Sequence, residues 1–244
     1  MNLLEDLIST LDFDTVVRDI RQGVFHTAVL SRHCGLSATL PMDAMRQDAA
    51  LVREPGFLLS KIPWELAGLA HSKSILEAAI GMATINSLLT IDEGSVIELN
   101  AADLILEKGE GRTVAIVGHF PFVPKVREKA KALWVIEKNP KEGDLPESEG
   151  DQRIRQADVV AITGAALVNH TLGRMLQLCN PRAFVILLGP TAPLSPVLFE
   201  YGVDALSGTR VADPELALLC VSQGANFRQI PGTRRLTMMK PGRS

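Results

Sequence analysis

The residues whose types and places could do chemistry are Gly118-His119, Glu137, Thr163, Asn169 and Thr191, with Glu77 set apart among apolar neighbours. Glycine at 118 permits positive φ or close backbone approach to a ligand. The imidazole of His119 offers a base, a metal ligand or a hydrogen-bond donor, or a ring satisfied by nearby backbone. Glu137 lies nineteen residues beyond Gly118. An acid about 20 residues beyond a glycine turn holds a ribose hydroxyl in dinucleotide-type sites, though a surface glutamate at a strand end has the same spacing. Thr163 opens the run Thr-Gly-Ala-Ala-Leu-Val-Asn-His-Thr171, whose small residues invite a ligand close. Asn169 is placed to cap the following helix, whose free N–H groups suit an anion. Thr191 offers a hydroxyl from Gly189-Pro-Thr-Ala-Pro193, a loop stiffened by two prolines.

Several chemistries find little support. The turn after Val117 is Gly-His-Phe-Pro-Phe and not GxGxxG, which weakens a dinucleotide reading. No P-loop, GxSxG elbow, HExxH or CxxC occurs. His26, His33, His71, His119 and His170 form no local chelating pair, so no zinc signature is present. A metal site assembled across domains from His119, Glu137 and a first-domain residue stays open. Ser74-Ile-Leu-Glu77 fits a capping box, the plainer role for Glu77. Asn86, nine residues on, falls on the opposite helix face. Asp144, in Gly143-Asp-Leu-Pro146, reads as a turn former.

The elements that must position these residues change rhythm near residue 105. Before it, residues 1–11 and 74–89 read as helices, with a shorter one from Pro63. Three short runs, Thr15 to Ile20, Thr27 to Ser31 and Leu36 to Leu40, read as antiparallel strands. Ala101 to Glu107 reads as a short helix capped by Asn100. After the glycine-bearing linker 108–112, strands at 114–117, 133–137, 158–163, 184–188 and 205–207 alternate with helices. Continuous apolar strands interleaved with helices predict a parallel sheet covered on both faces. The expected fold class is α/β, with an N-terminal α+β domain over 1–105 and a Rossmann-like doubly wound domain over 106–244. Ligands sit at the carboxyl ends of the strands in such a domain.

The chain has 244 residues, 46% hydrophobic and 22% charged, enough for a sizeable core. A net charge of -3 carries no footprint for nucleic acid. After Glu215 only bases remain, Arg228, Arg234, Arg235, Lys240 and Arg243. They read as a solvated tail or as a basic rim for an anion or a partner subunit. Cys34, Cys179 and Cys220 are odd in number and scattered, which suits reduced thiols and a cytoplasmic location. No run reaches the ~18 apolar residues of a membrane span. A homodimer is open.

The chain resembles a prokaryotic family of unknown function labelled "putative heavy-metal chelation". The likeness rests on residues 74–86, Val117-Gly-His-Phe-Pro-Phe122, Gly143-Asp-Leu-Pro146, residues 163–171 and Gly189-Pro-Thr-Ala-Pro-Leu-Ser-Pro196. It implies an enolase-N-terminal-like domain, a Rossmann-like domain and a cleft between them. It carries Gly118, His119, Glu137, Thr163, Asn169 and Thr191 over as cleft candidates, with Glu77 from the first domain. Two departures stand out: His170 replaces a glycine usual in the family, and Thr191 stands where serine is usual.

Three functions follow. The first is binding of a divalent metal or a metal complex, with His119 as the metal contact beside Glu137. The second is an enzyme using an adenosine-type cofactor, a nucleotide or S-adenosylmethionine, held by Glu137. The third is a regulatory module that binds and does no chemistry.

Overall fold

A computed structural model describes residues 2–47 and 51–242. Arg243 of the basic tail lies outside them.

The first half opens with helix α1 (Leu3–Ser9) and the strands β1 (Asp19–Gln22), β2 (His26–Leu30) and β3 (Cys34–Ala38). They form an antiparallel sheet in the order β1-β2-β3. Helices α2 (Pro41–Met45), α3 (Pro63–Gly68) and α4 (Ile75–Leu88) follow. Apolar residues surround α4, and only Leu76 and Asn86 escape full burial. Its small residues allow that. A Cβ at Gly81 would sit 2.0 Å from the Ala70 nitrogen, so only glycine lets the neighbouring turn approach so closely.

The second half holds β4 (Val96–Ile97), α5 (Ala101–Gly109), β5 (Thr113–Val117), α6 (Val123–Lys129), β6 (Ala132–Glu137), β7 (Leu145–Pro146) and α7 (Glu147–Gln156). Then come β8 (Val159–Thr163), α8 (Ala165–Val168), α9 (Leu172–Leu178), β9 (Phe184–Leu188), β10 (Ala205–Val211), α10 (Pro214–Ser222) and β11 (Thr233–Met239). Eight strands form one sheet in the order β4-β11-β10-β9-β8-β5-β6-β7. The strands from β7 to β10 run parallel, and β11 and β4 join antiparallel at one edge. The chain is thus a mixed α/β protein with a parallel-rich sheet and a separate small antiparallel one.

Alternation along β5 explains why its apolar run is continuous. Val114 and Ile116 pack against Leu104, Ile105, Val123 and Val126 of α5 and α6. Ala115 and Val117 face the other layer, with Ile154, Leu167 and Met175 of α7 to α9 and with α4. Both faces are covered, so no position on the strand needs a polar side chain.

The two halves interlock. Within the first half, Val29 of the small sheet packs on Ile80 and Ala83 of α4. Ala28 and Leu36 pack on Ala217, Leu218 and Val221 of α10. A helix of the second half therefore covers the sheet of the first.

Three sequence expectations change. The basic stretch after residue 232 is not a solvated tail: Thr233–Met239 is the strand β11, paired along its length with β10. The position near 105 lies inside α5, whose Leu104 and Ile105 pack on the eight-stranded sheet, and β4 pairs in that sheet too. The capping box at Ser74 does not form, because the Ser74 hydroxyl makes no cap bond and has no partner among the described residues, and Glu77 turns elsewhere. Among the described residues, no helix is long and apolar enough to cross a membrane.

Candidate functional site

The order of the parallel strands reverses between β5 and β8. A strand order that reverses leaves a crevice outside the carboxyl ends of the two strands. The cleft there has a volume of about 340 Å3, within the range of small-molecule sites. Leu40, Met42 and Asp43 line it from the first half, and Gly118, His119, Glu137, Thr163 and Asn169 from the second. Five of the seven sequence candidates therefore converge.

Gly118 ends β5 with φ +105°. A Cβ there would meet the Thr163 Cβ at 3.2 Å and the Phe120 ring at 3.1 Å, so the turn needs glycine on both counts. Glu137 closes β6, and its carboxylate is engaged. Oε1 accepts the His119 N–H at 2.7 Å, and Oε2 accepts the Lys138 N–H at 3.1 Å. Glu137 thus ties the loop after β5 to the loop after β6. Lys138 continues the tie, donating from Nζ to Asp43 Oδ2 of α2 at 3.0 Å.

The His119 ring is oriented by a residue the sequence read only as a turn former. Its Nδ1 lies 3.1 Å from Asp144 Oδ2. The Asp144 side chain is 3% exposed and that of His119 34%. An ionised carboxylate can only accept, so opposite it Nδ1 is the donor, and in the neutral ring of that tautomer Nε2 holds the lone pair. Asp144 does form the turn, accepting the Lys141 N–H at 3.1 Å. Its second bond, to His119, had no local sequence signal.

Other candidates play different parts. Thr163 Oγ1 accepts the Ala165 N–H at 3.3 Å. Asn169 does not cap α9. Its Oδ1 accepts the Thr171 N–H at 3.3 Å and the Thr171 hydroxyl at 2.6 Å, and Thr171 occupies the cap position. Thr191 is buried and not in the cleft lining; its hydroxyl accepts the Ala38 N–H at 2.8 Å. Its carbonyl accepts the Asn86 amide at 3.1 Å, and the same amide reaches Leu36 O at 2.9 Å. Thr191 and Asn86 clasp the two halves together.

Glu77 lies outside the cleft. It accepts from the Arg53 N–H at 2.8 Å, Arg53 Nε at 2.9 Å and Nη2 at 3.1 Å, and from the Ser72 hydroxyl at 2.6 Å. Burial alone would raise its carboxyl, but the Arg53 and Ser72 hydrogen bonds and the Arg53 charge outweigh it and hold the group below its ordinary value.

The donor set can be tested against a heavy metal. Soft metals prefer thiolates. Burial pushes the Cys34 thiol up to about 12 and the Cys179 thiol up to about 11, which disfavours the thiolate at either. Among the described residues, no group of three or more His, Cys, Asp or Glu could hold an ion. A bare heavy-metal ion therefore has no ready-made cage. What the cleft offers is one oriented imidazole. A carboxylate behind a histidine is how proteins fix the ring of a metal ligand.

Two family models, DUF4213 and DUF364, match residues 4–89 and 100–240, and both carry the description "Putative heavy-metal chelation". The chain belongs to this family. An uncharacterised protein of Methanocaldococcus jannaschii is a relative, 30% identical over 184 residues, or 71% of this chain and 70% of that one. A crystal structure of a DUF364 protein of unknown function from Desulfitobacterium hafniense matches with a TM-score of 0.86 at 29% identity, covering 98% of each chain. Another DUF364 structure of unknown function, from Pyrococcus horikoshii, matches with a TM-score of 0.84 at 22% identity and shares the fold, over 98% of this chain and all of that one. His170 sits at φ +59°, a backbone conformation that favours glycine. Here the ring compensates: His170 Nε2 lies 2.9 Å from the Ser72 carbonyl, across the two halves.

Proposed function

We propose that this DUF364 protein binds a metal that arrives already held by a small organic chelator, in the cleft between its two halves. The observation that carries the reading is the His119–Asp144 pair at 3.1 Å on the rim of a largely apolar cleft. The pair leaves one lone-pair nitrogen, Nε2, to fill an open coordination position. The chelator would supply the remaining ligands and occupy the cleft. The family description supports a metal, and the lack, among the described residues, of any group of three or more His, Cys, Asp or Glu to hold an ion supports a complex over a free ion.

The test is calorimetric titration with nickel(II) and copper(II), each as the aquo ion and as its nitrilotriacetate or citrate complex. The expected result is binding of a complex, weak or no binding of the aquo ion, and loss of binding in His119→Ala. Binding of the complex that persists in His119→Ala would overturn the assignment.

A second reading rests on Glu137. It stands at the carboxyl end of the strand beside β5, where an acid holds ribose hydroxyls. Its oxygens keep lone pairs beyond the two backbone bonds. Adenosine or S-adenosylmethionine binding that is lost in Glu137→Ala would favour it over the chelate.

A further inference from the structure

The basic stretch that the sequence reads as a solvated tail or as a basic rim for an anion or a partner subunit divides in two. Arg234 is paired, with its Nε 2.5 Å from Glu98 Oε1 and a longer contact to Glu93. Lys240 donates from Nζ to the Phe199 carbonyl at 2.8 Å. Arg228 and Arg235 make no ion pair among the described residues. Both line a second cleft of about 360 Å3, on the opposite face of the large sheet from the first.

This second cleft lies by the carboxyl end of β9, between the loop after β5, the start of α5 and strand β10. Lys125 joins the two arginines in its lining, against a single acid, Asp103. Lys125 and Asp103 likewise make no ion pair among the described residues. The lining is therefore cationic in a protein whose net charge is negative. Its apolar part is aromatic. The Phe120 and Phe122 rings stack with centroids 5.1 Å apart and planes 14° off parallel. Phe227 carries the Arg235 guanidinium 5.9 Å above its ring. Gly189, at φ +111°, leaves open space where a Cβ would stand.

We propose that this second cleft binds a small planar anion: an aromatic ring bearing a phosphate or a carboxylate. Arginine forks suit both groups, which accept two parallel hydrogen bonds. Rings of phenylalanine offer faces and edges to a planar partner. The Arg235 guanidinium over Phe227 makes no ion pair among the described residues, which leaves its N–H groups to an anion. The proposal does not depend on the chelate reading, because it uses the other face of the sheet. Phe120 alone lines both clefts.

Phenyl phosphate and benzoate distinguish the two anionic groups, with phenol and inorganic phosphate as the ring and the anion alone. Each would be followed by ligand-detected NMR and calorimetry on the full chain. At least one aromatic anion should bind the wild type, at least tenfold more tightly than phenol or inorganic phosphate. Arg228→Gln and Arg235→Gln should each weaken it about tenfold, with the circular dichroism unchanged because both side chains are exposed. His119→Ala and Glu137→Ala should leave it unchanged. No binding of either aromatic anion would overturn the proposal. So would binding that survives both arginine substitutions, binding lost in His119→Ala, or inorganic phosphate binding as tightly as the aromatic anions.

Discussion

His119 and Asp144 meet at 3.1 Å although twenty-five residues separate them, because the loops after β5 and β6 close on each other. Glu137 performs the closure through the His119 N–H. Asp144 does not line the cleft itself, so under the proposed function it would act on a ligand only through the ring it contacts. Asp144→Asn should lower affinity for the metal chelate by about 10–100-fold, the usual cost of losing a partner behind a metal-binding histidine. The thermal midpoint should move little. Ring nitrogen NMR of the wild type should show a proton on Nδ1 at neutral pH. A proton on Nε2 instead would remove the lone pair from the cleft and sink the argument.

His170 sets a backbone cost against a side-chain bond. Its φ of +59° costs an L residue about 1–2 kcal/mol. The bond from its Nε2 to the Ser72 carbonyl returns about 0.5–1.5 kcal/mol. His170→Ala keeps the cost and loses the bond, so it should destabilise. His170→Gly loses the bond and the cost together, and should melt above the alanine variant. Urea unfolding of the pair gives the order directly, and alanine above glycine would contradict the left-handed backbone.

The sheet was legible because burial on both faces leaves a mark that needs no tertiary knowledge. Val114 to Val117 and Phe184 to Leu188 are unbroken apolar runs for that reason. Strand β11 left no such mark. Only Leu236 to Met238 are buried, while Arg234 and Arg235 face outward, so its pairing with β10 is a tertiary fact. The two-residue strand β7 was hidden in a turn sequence. At the site, residues at strand ends could be found because strand ends make the crevice. The second role of Asp144, the clasp at Thr191 and the tie of Glu77 to Arg53 each depend on a partner far along the chain. Helix α2 enters through Leu40 at φ +54°, which its residue type does not announce.

Acid should weaken the fold in two stages. His26 is buried, and burial lowers its pKa from the ordinary 6.5, so the folded chain resists a proton that the unfolded chain accepts. Stability from this source is present above about 6.5 and falls as the pH drops below it. Glu77 is held below its ordinary 4.5 by Arg53 and Ser72, against the opposing effect of burial. Its contribution is present above about 4.5 and is lost as the pH falls through the lowered value. Urea midpoints measured from pH 8 downward should decline in both windows. Glu77→Gln should flatten the lower one and leave the upper one intact; an unchanged lower slope would mean that the Arg53 tie does not persist in solution.

The clasp at Thr191 gives the sharpest test of how the halves are held. Its hydroxyl accepts the Ala38 N–H at 2.8 Å, at the last residue of β3. Valine keeps the shape and removes the acceptor. An orphaned, partly buried N–H costs about 1–3 kcal/mol, and about 1 kcal/mol moves the midpoint of a chain this size by roughly 2–4 °C. Serine keeps the hydroxyl and loses only a methyl. Hydrogen exchange at the Ala38 amide separates the two effects: it should quicken in Thr191→Val and stay slow in Thr191→Ser. Equal exchange in both variants would show that the amide is protected by packing, and that the halves are held by the α10 and α4 contacts without this bond.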